Sequence, residues 1–170
     1  TQPVRRFQWW GWLSTIGGYI AGNGYVWQFV DPIWQQHLDT QGALDMERLN
    51  QFIQSIEWWK LVPSGLNKMK NLVIDAGADT TATYVSSAAA KDGSLLVAYL
   101  PPARTGSIQV DMSALKKSAY AYWYDPTRGD YSFIKESPIK NKGIHTFTPP
   151  GKNSRNENDW VLMVATKKRK

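Results

Sequence analysis

The strongest constraint on the fold is a change of texture at Pro63. Before it, apolar residues recur at helical spacing and tryptophan crowds the chain. Seven of the nine tryptophans, Trp9, Trp10, Trp12, Trp27, Trp34, Trp58 and Trp59, fall within the first 59 of 170 residues. After it, short apolar runs alternate with Gly- and Pro-bearing breaks, the period-2 signature of strands. One chain therefore carries two kinds of hydrophobic pattern, and each predicts a different layer.

In the first part, "PVRRFQWWGWLSTI" predicts a helix over residues 3–16, with Pro3 suited to a first helical position. Tyr19-Ile20-Ala21 predicts a short strand, closed by the turn Gly22-Asn23-Gly24 and followed by a loop carrying Tyr25, Trp27 and Phe29. A second helix follows Thr40, its candidate cap. Met46, Leu49, Phe52, Ile53 and Ile56 form one apolar stripe on it. Pro63, Ser64 and Gly65 stop it. Helix, strand, helix is a piece of an α/β pattern, but one strand makes no sheet.

In the second part, "TYVSSAAA" and "SLLVAYL" flank the hairpin turn Lys91-Asp92-Gly93. "SIQVDM", "AYAYWYD", "YSFIKE", "IHTFTP" and "WVLMVAT" follow. About seven short strands at this spacing predict an antiparallel sandwich. Alternation in "AYAYWYD" places Tyr120, Tyr122 and Tyr124 on one face, with Ala121 and Trp123 on the other. Trp123 and Trp160 are expected to be buried. The fold class is α+β: residues 1–62, residues 63–166, and a basic tail at 167–170.

Charge and composition exclude several functions. The net charge of +6 divides unevenly. Residues 1–62 carry −1, residues 63–166 carry +3, and Lys167-Lys168-Arg169-Lys170 adds +4. The basic balance is a tail effect, the tail is expected to be a frayed and solvated end, and no nucleic-acid partner is expected. Cysteine is absent, which removes disulfides and thiolate chemistry. The two histidines, His37 and His145, lack ligand spacing, so no metal or other cofactor is expected. No apolar run is long enough for a membrane span.

Several stretches together resemble one family: "RRFQWWGWLSTIGGYIAGNGYVWQF", "LDTQGALDMERLNQFIQSIEWWKLVPS", "KDGSLLVAYLP", "YWYDPTRGDY" and "FTPPGKNSRNENDWVLMVA". They look like the C-terminal end of the apiosidase-like glycoside hydrolases, TIM-barrel enzymes followed by a β-sandwich known as a "putative collagen-binding domain". The resemblance implies that residues 1–62 are the last helix, strand and closing helix of a (β/α)8 barrel. It implies that both catalytic carboxylates lie on barrel strands outside this chain, so no catalytic residue is assigned. It also implies a secreted or periplasmic protein acting on plant or complex polysaccharide, although no signal peptide is visible and the chain opens on Thr1.

The candidate binding residues follow. TIM-barrel sites gather at the C-terminal ends of strands, so Asn23, Tyr25 and Trp27 are candidates for lining a sugar site, against packing between layers as the alternative. Tyr120, Tyr122 and Tyr124 are candidates for a surface binding stripe, or for a packed second layer. Arg128-Gly129-Asp130 is a possible adhesion signal, but Asp125-Pro126 and Gly129 suit a plain turn. Asn156-Glu157 has the order of a glycosidase acid/base pair, yet it falls in the polar loop "GKNSRNEND", expected to be mobile and so unable to hold catalytic geometry. The partners expected are carbohydrate and the remainder of the barrel or another protein chain. The alternative is a stand-alone carbohydrate- or matrix-protein-binding sandwich.

Three outcomes are open for residues 1–62 as a stub: cover by further protein, folding back on the sandwich, or a loose state. Burial against further protein is the expectation, with association or hydrophobic-dye binding by the isolated chain as its sign.

Overall fold

The structure is a computed structural model, and it describes residues 2–29 and 32–169. Two helices, α1 (Gln2–Thr15) and α2 (Gln41–Gln54), precede eight strands. These are β1 (Leu61–Pro63), β2 (Ser86–Ala90), β3 (Leu95–Leu100), β4 (Ile108–Asp111), β5 (Tyr120–Tyr124), β6 (Tyr131–Phe133), β7 (Ile144–Phe147) and β8 (Trp160–Ala165). Each of the seven segments read as a strand after Pro63 contains one. All pair antiparallel, in a six-stranded sheet ordered β1-β2-β3-β8-β5-β6 and a two-stranded sheet β4-β7.

The six-stranded sheet is buried on both faces. One face carries Ala89, Leu96, Ala98, Leu100, Ala121, Trp123, Trp160, Leu162 and Val164, and it packs on Ile108, Val110 and Phe147 of the small sheet. Trp123 and Trp160 are 4% and 6% exposed, as alternation requires. The other face carries Ala88, Val97, Tyr99, Tyr122, Tyr124, Val161 and Met163. It packs on Trp9, Trp12 and Leu13 of α1 and Leu49 and Phe52 of α2. Three layers result: helices, large sheet, small sheet. A strand covered on both faces needs no polar alternation, and every residue of β3 is buried.

Residues 1–62 lie on the sheet through the stripe Leu49, Phe52 and Ile56, because that face of the sheet is itself apolar and complementary. Strand β1 runs from Leu61 to Pro63. Pro63 does not stop a helix there but ends an edge strand, the sheet position where a missing N–H is tolerated. Helix α2 ends earlier, at Gln54. Thr40 stands at its N-cap position with extended backbone, but its side chain makes no capping bond.

The strand expected at Tyr19-Ile20-Ala21 is absent. Residues 18–23 have no regular structure, because no second strand lies beside them to complete a ladder. Instead the Tyr19 ring lies on α1 against Gly11. A Cβ at Gly11 would stand 2.3 Å from that ring, so the contact requires the glycine. Gly93, in the β2–β3 turn, meets a stricter demand. Its φ is +67°, and a Cβ there would approach Ala114 O at 2.7 Å.

Candidate functional site

The loop that leaves α1 and returns to α2 carries the most exposed aromatic surface among the described residues. Trp27 is 73% exposed and Tyr25 60%. Asn23 shapes the loop that presents them. Its Nδ2 donates to His37 O at 2.9 Å, its Oδ1 accepts from Tyr25 N at 3.1 Å, and its carbonyl accepts from the N–H groups of Val26 and Trp27. Both polar ends of Asn23 are thus engaged within the loop. The Tyr25 ring stacks on the His37 imidazole at 4.2 Å, which holds the outgoing limb of the loop against the returning one. His37, unassigned in the sequence, is part of the frame.

Beside this loop lies a cleft of about 470 Å³. Val4 and Gln8 of α1 form one wall, Thr40, Gly42, Ala43 and Met46 of α2 the other, and residues 21–25 the rim. Gln8 bridges the walls: its Nε2 donates to Gly42 O at 2.9 Å, while its Oε1 has no hydrogen-bond partner among the described residues. Apolar walls with a few convergent polar groups are the general character of a small-molecule site.

Behind the cleft sits a buried ionic cluster that local periodicity does not announce. Arg5 is fully buried in α1. Its Nε donates to Asp159 Oδ2 at 2.7 Å, its Nη1 to Asp45 Oδ2 at 3.0 Å, and its Nη2 to Asp159 Oδ1 at 3.0 Å and to Glu157. Tyr99 donates its hydroxyl to Asp159 and Asn153 its Nδ2, while Gln41 and Arg48 reach Asp45. Burial works against the Arg5 charge, but the Asp159 hydrogen bonds and field, with those of Glu157 and Asp45, outweigh it and hold the guanidinium above its ordinary range. The only forewarning in the sequence is a string of polar residues, "NSRNEND", next to a core strand.

This pairing settles the position of Glu157. Its carboxylate lies against Arg5, in a loop cross-braced by Asn153, which accepts from Arg155 N and Glu157 N and donates to Asp159 O. The loop expected to be mobile is tied at both ends. Glycosidase chemistry needs two carboxylates facing each other across a cleft, one kept protonated. Asp45 and Asp159 are instead buried and paired with the same arginine.

The tyrosine stripe is not an exposed surface. Tyr122 is 5% exposed and Tyr124 1%, because α1 and α2 cover that face, and Tyr120 is half-buried. The Tyr124 hydroxyl donates to Arg48 O at 3.0 Å. Burial pushes its pKa up.

Arg128-Gly129-Asp130 forms the turn. The N–H groups of Arg128 and Gly129 donate to Asp125 O, Gly129 has φ +93°, and Arg128 pairs with Asp130 at 2.8 Å. Asp125 also accepts from Thr127 N and, across the domain edge, from Ser154 N at 2.9 Å.

The basic tail is pinned rather than frayed. Arg169 lies 3.6 Å over the Tyr131 ring and donates Nη1 to Ser55 Oγ, and its N–H donates to the Tyr122 hydroxyl. Lys170 lies outside the described residues. Among the described residues no group of His, Asp and Glu is placed to hold a metal ion, and no helix is long and apolar enough to cross a membrane.

Comparison with known proteins places these features. A family model described as "Putative collagen-binding domain of a collagenase" matches residues 70–165. A solved structure described as a glycoside hydrolase superposes with a TM-score of 0.77 at 19% identity, over 99% of this chain and 37% of its own. A glycoside hydrolase family 5 structure from Bacteroides vulgatus ATCC 8482 superposes with a TM-score of 0.77 at 21% identity, over 96% and 36%. The chain spans little more than a third of the length of either. No curated protein matches it.

Proposed function

The chain belongs to the family described as "Putative collagen-binding domain of a collagenase", and on that footing we propose that it is the non-catalytic C-terminal portion of an exported glycoside hydrolase. In this reading residues 1–62 close a (β/α)8 barrel, the sandwich buttresses it, and the loop with Asn23, Tyr25 and Trp27 lines its sugar site. An apiosidase-like enzyme acting on plant polysaccharide is the specific form we favour.

The observation that carries the reading is the contrast within residues 1–62. Trp9, Trp12, Leu49 and Phe52 are buried against the sheet, while Ile20, Tyr25, Trp27, Phe29, Ile33 and Leu38 are exposed in one stretch of chain. Solvent alone gives no reason for so many large apolar side chains on one loop. A sugar ring stacked on Tyr25 and Trp27, with further barrel strands beside residues 18–23, accounts for both. The extent of the structural likeness, nearly all of this chain but 36–37% of theirs, supports a larger enzyme. Arg5 holds Glu157 away from chemistry, which supports a non-catalytic role for this portion.

Affinity electrophoresis in gels containing arabinoxylan, xyloglucan or pectic galactan tests the reading. Retardation of the chain by at least one polysaccharide, lost in Trp27→Ala and weakened in Tyr25→Ala, is the expected outcome. Equal mobility in all gels removes the sugar-lining role, and hydrolysis of any of them by this chain alone removes the non-catalytic one.

A further inference from the structure

We propose that Arg5 and Asp159 are positioning residues through which the sandwich sets the geometry of the Asn23–Tyr25–His37 frame. The proposal rests on the preceding reading only in taking that loop to be the functional one.

The geometry runs through adjacent residues. Arg5 follows Val4, and Asp45 precedes Met46; Val4 and Met46 line opposite walls of the cleft. The Arg5 fork therefore ties the two walls together one residue behind their lining, through Asp45 at 3.0 Å. The same guanidinium is gripped twice by Asp159, which immediately precedes β8, the central strand between β3 and β5. Tyr99 of β3 and Asn153 fix the Asp159 carboxylate in turn. One planar cation thus connects α1, α2 and the sheet.

The frame senses that connection. Asn23 and Tyr25 belong to the limb that continues from α1, and His37 to the limb that leads into α2. The two limbs meet at the Tyr25–His37 stack, at the Asn23 Nδ2 to His37 O bond and, nearer the tip, where the Phe29 ring stands edge-on to Trp34 at 4.9 Å. A change in the spacing of the helix N-termini is delivered to that stack. Lysine cannot reproduce the arrangement, because an ammonium lacks the fork that serves Asp45 and both Asp159 oxygens at once.

The test uses proton NMR of the whole chain, in which only two imidazoles contribute. His37 reports on the frame, and His145, packed on Phe147 at 4.6 Å at the far side of the sandwich, is the internal control. In Arg5→Lys and in Asp159→Asn, the His37 Hε1 resonance is expected to move downfield towards that of a free imidazole as the stack on Tyr25 loosens, while His145 stays in place. An unmoved His37 in either folded variant overturns the proposal. Collapse of both resonances to free positions in both variants also overturns it, since Arg5 would then be needed for the whole fold and not for local placement. Polysaccharide retardation, measured in parallel on the parent chain, judges the sugar reading separately. A chain that binds no polysaccharide yet shows the His37 shift keeps the positioning role and loses the sugar.

Discussion

The Trp9 indole lies on the Tyr99 phenol with ring centroids 5.7 Å apart and planes 5° from parallel. One ring comes from the first helix and the other from the third strand, 90 positions later. Phe52 and Tyr124 close around the pair at 5.1 and 6.1 Å from Trp9. This aromatic cluster joins the helical layer to the sheet.

Replacing Trp9 by alanine should therefore destabilise the whole chain and not the helices alone. The expected loss is about 3–5 kcal/mol, the range for a large buried ring. The Trp9 Nε1 has no hydrogen-bond partner among the described residues, so Trp9→Phe should retain most of the stability. Urea unfolding followed by both far-UV and near-UV circular dichroism checks this. Two separate transitions in Trp9→Ala, with the sandwich at its parent midpoint, would show that the helices are an independent layer.

Asp125 makes acid stability measurable at one position. Burial raises its pKa, but hydrogen bonds from Thr127 and Ser154 outweigh burial and leave it below the ordinary carboxylate value. A depressed folded-state pKa contributes stability that is present above the unfolded value, about 3.9, and is lost as pH falls through the folded one. Asp125→Asn should thus be less stable than the parent near neutrality, with the gap closing as pH falls below about 4. Urea midpoints of both proteins along that series give the result. A constant gap down to strong acid would assign the effect to shape and not to charge.

Arg169 gives the tail a structural role. Its guanidinium covers Tyr131 and reaches Ser55 at 3.2 Å, so it bridges β6 to the end of α2. Arg169→Ala should cost about 1 kcal/mol, as for a cation over a half-buried aromatic ring. Lys168→Ala, whose ammonium stands 5.5 Å from the Phe133 ring, should cost less. Thermal unfolding of the two variants ranks them, and equal midpoints would return the tail to solvent.

Local elements and their apolar faces are legible in the order of residues. The breaks at Lys91-Asp92-Gly93 and Asp125-Pro126 bounded strands, alternation put Trp123 opposite Tyr122 and Tyr124, and the spacing of Leu49 and Phe52 gave α2 its buried stripe. Each is a relation between residues a few positions apart, where 3.6- and 2-residue periods act directly. Tertiary structure alone decided what lies against each face. The tyrosine stripe is apolar whether a glycan or a helix covers it, and periodicity is blind to the difference. Helix α1 covers it because Trp9 meets Tyr99. Arg5 and Asp159 stand 154 positions apart, and the nearest partner of either in sequence is Asn153, six positions before Asp159. A buried ion pair depends on two distant segments arriving together, since each charge is tolerated inside only when the other is already there. The absent strand at Tyr19-Ile20-Ala21 follows the same logic: extended backbone becomes a strand only when another strand lies alongside, and that neighbour is a property of the fold, not of the three residues.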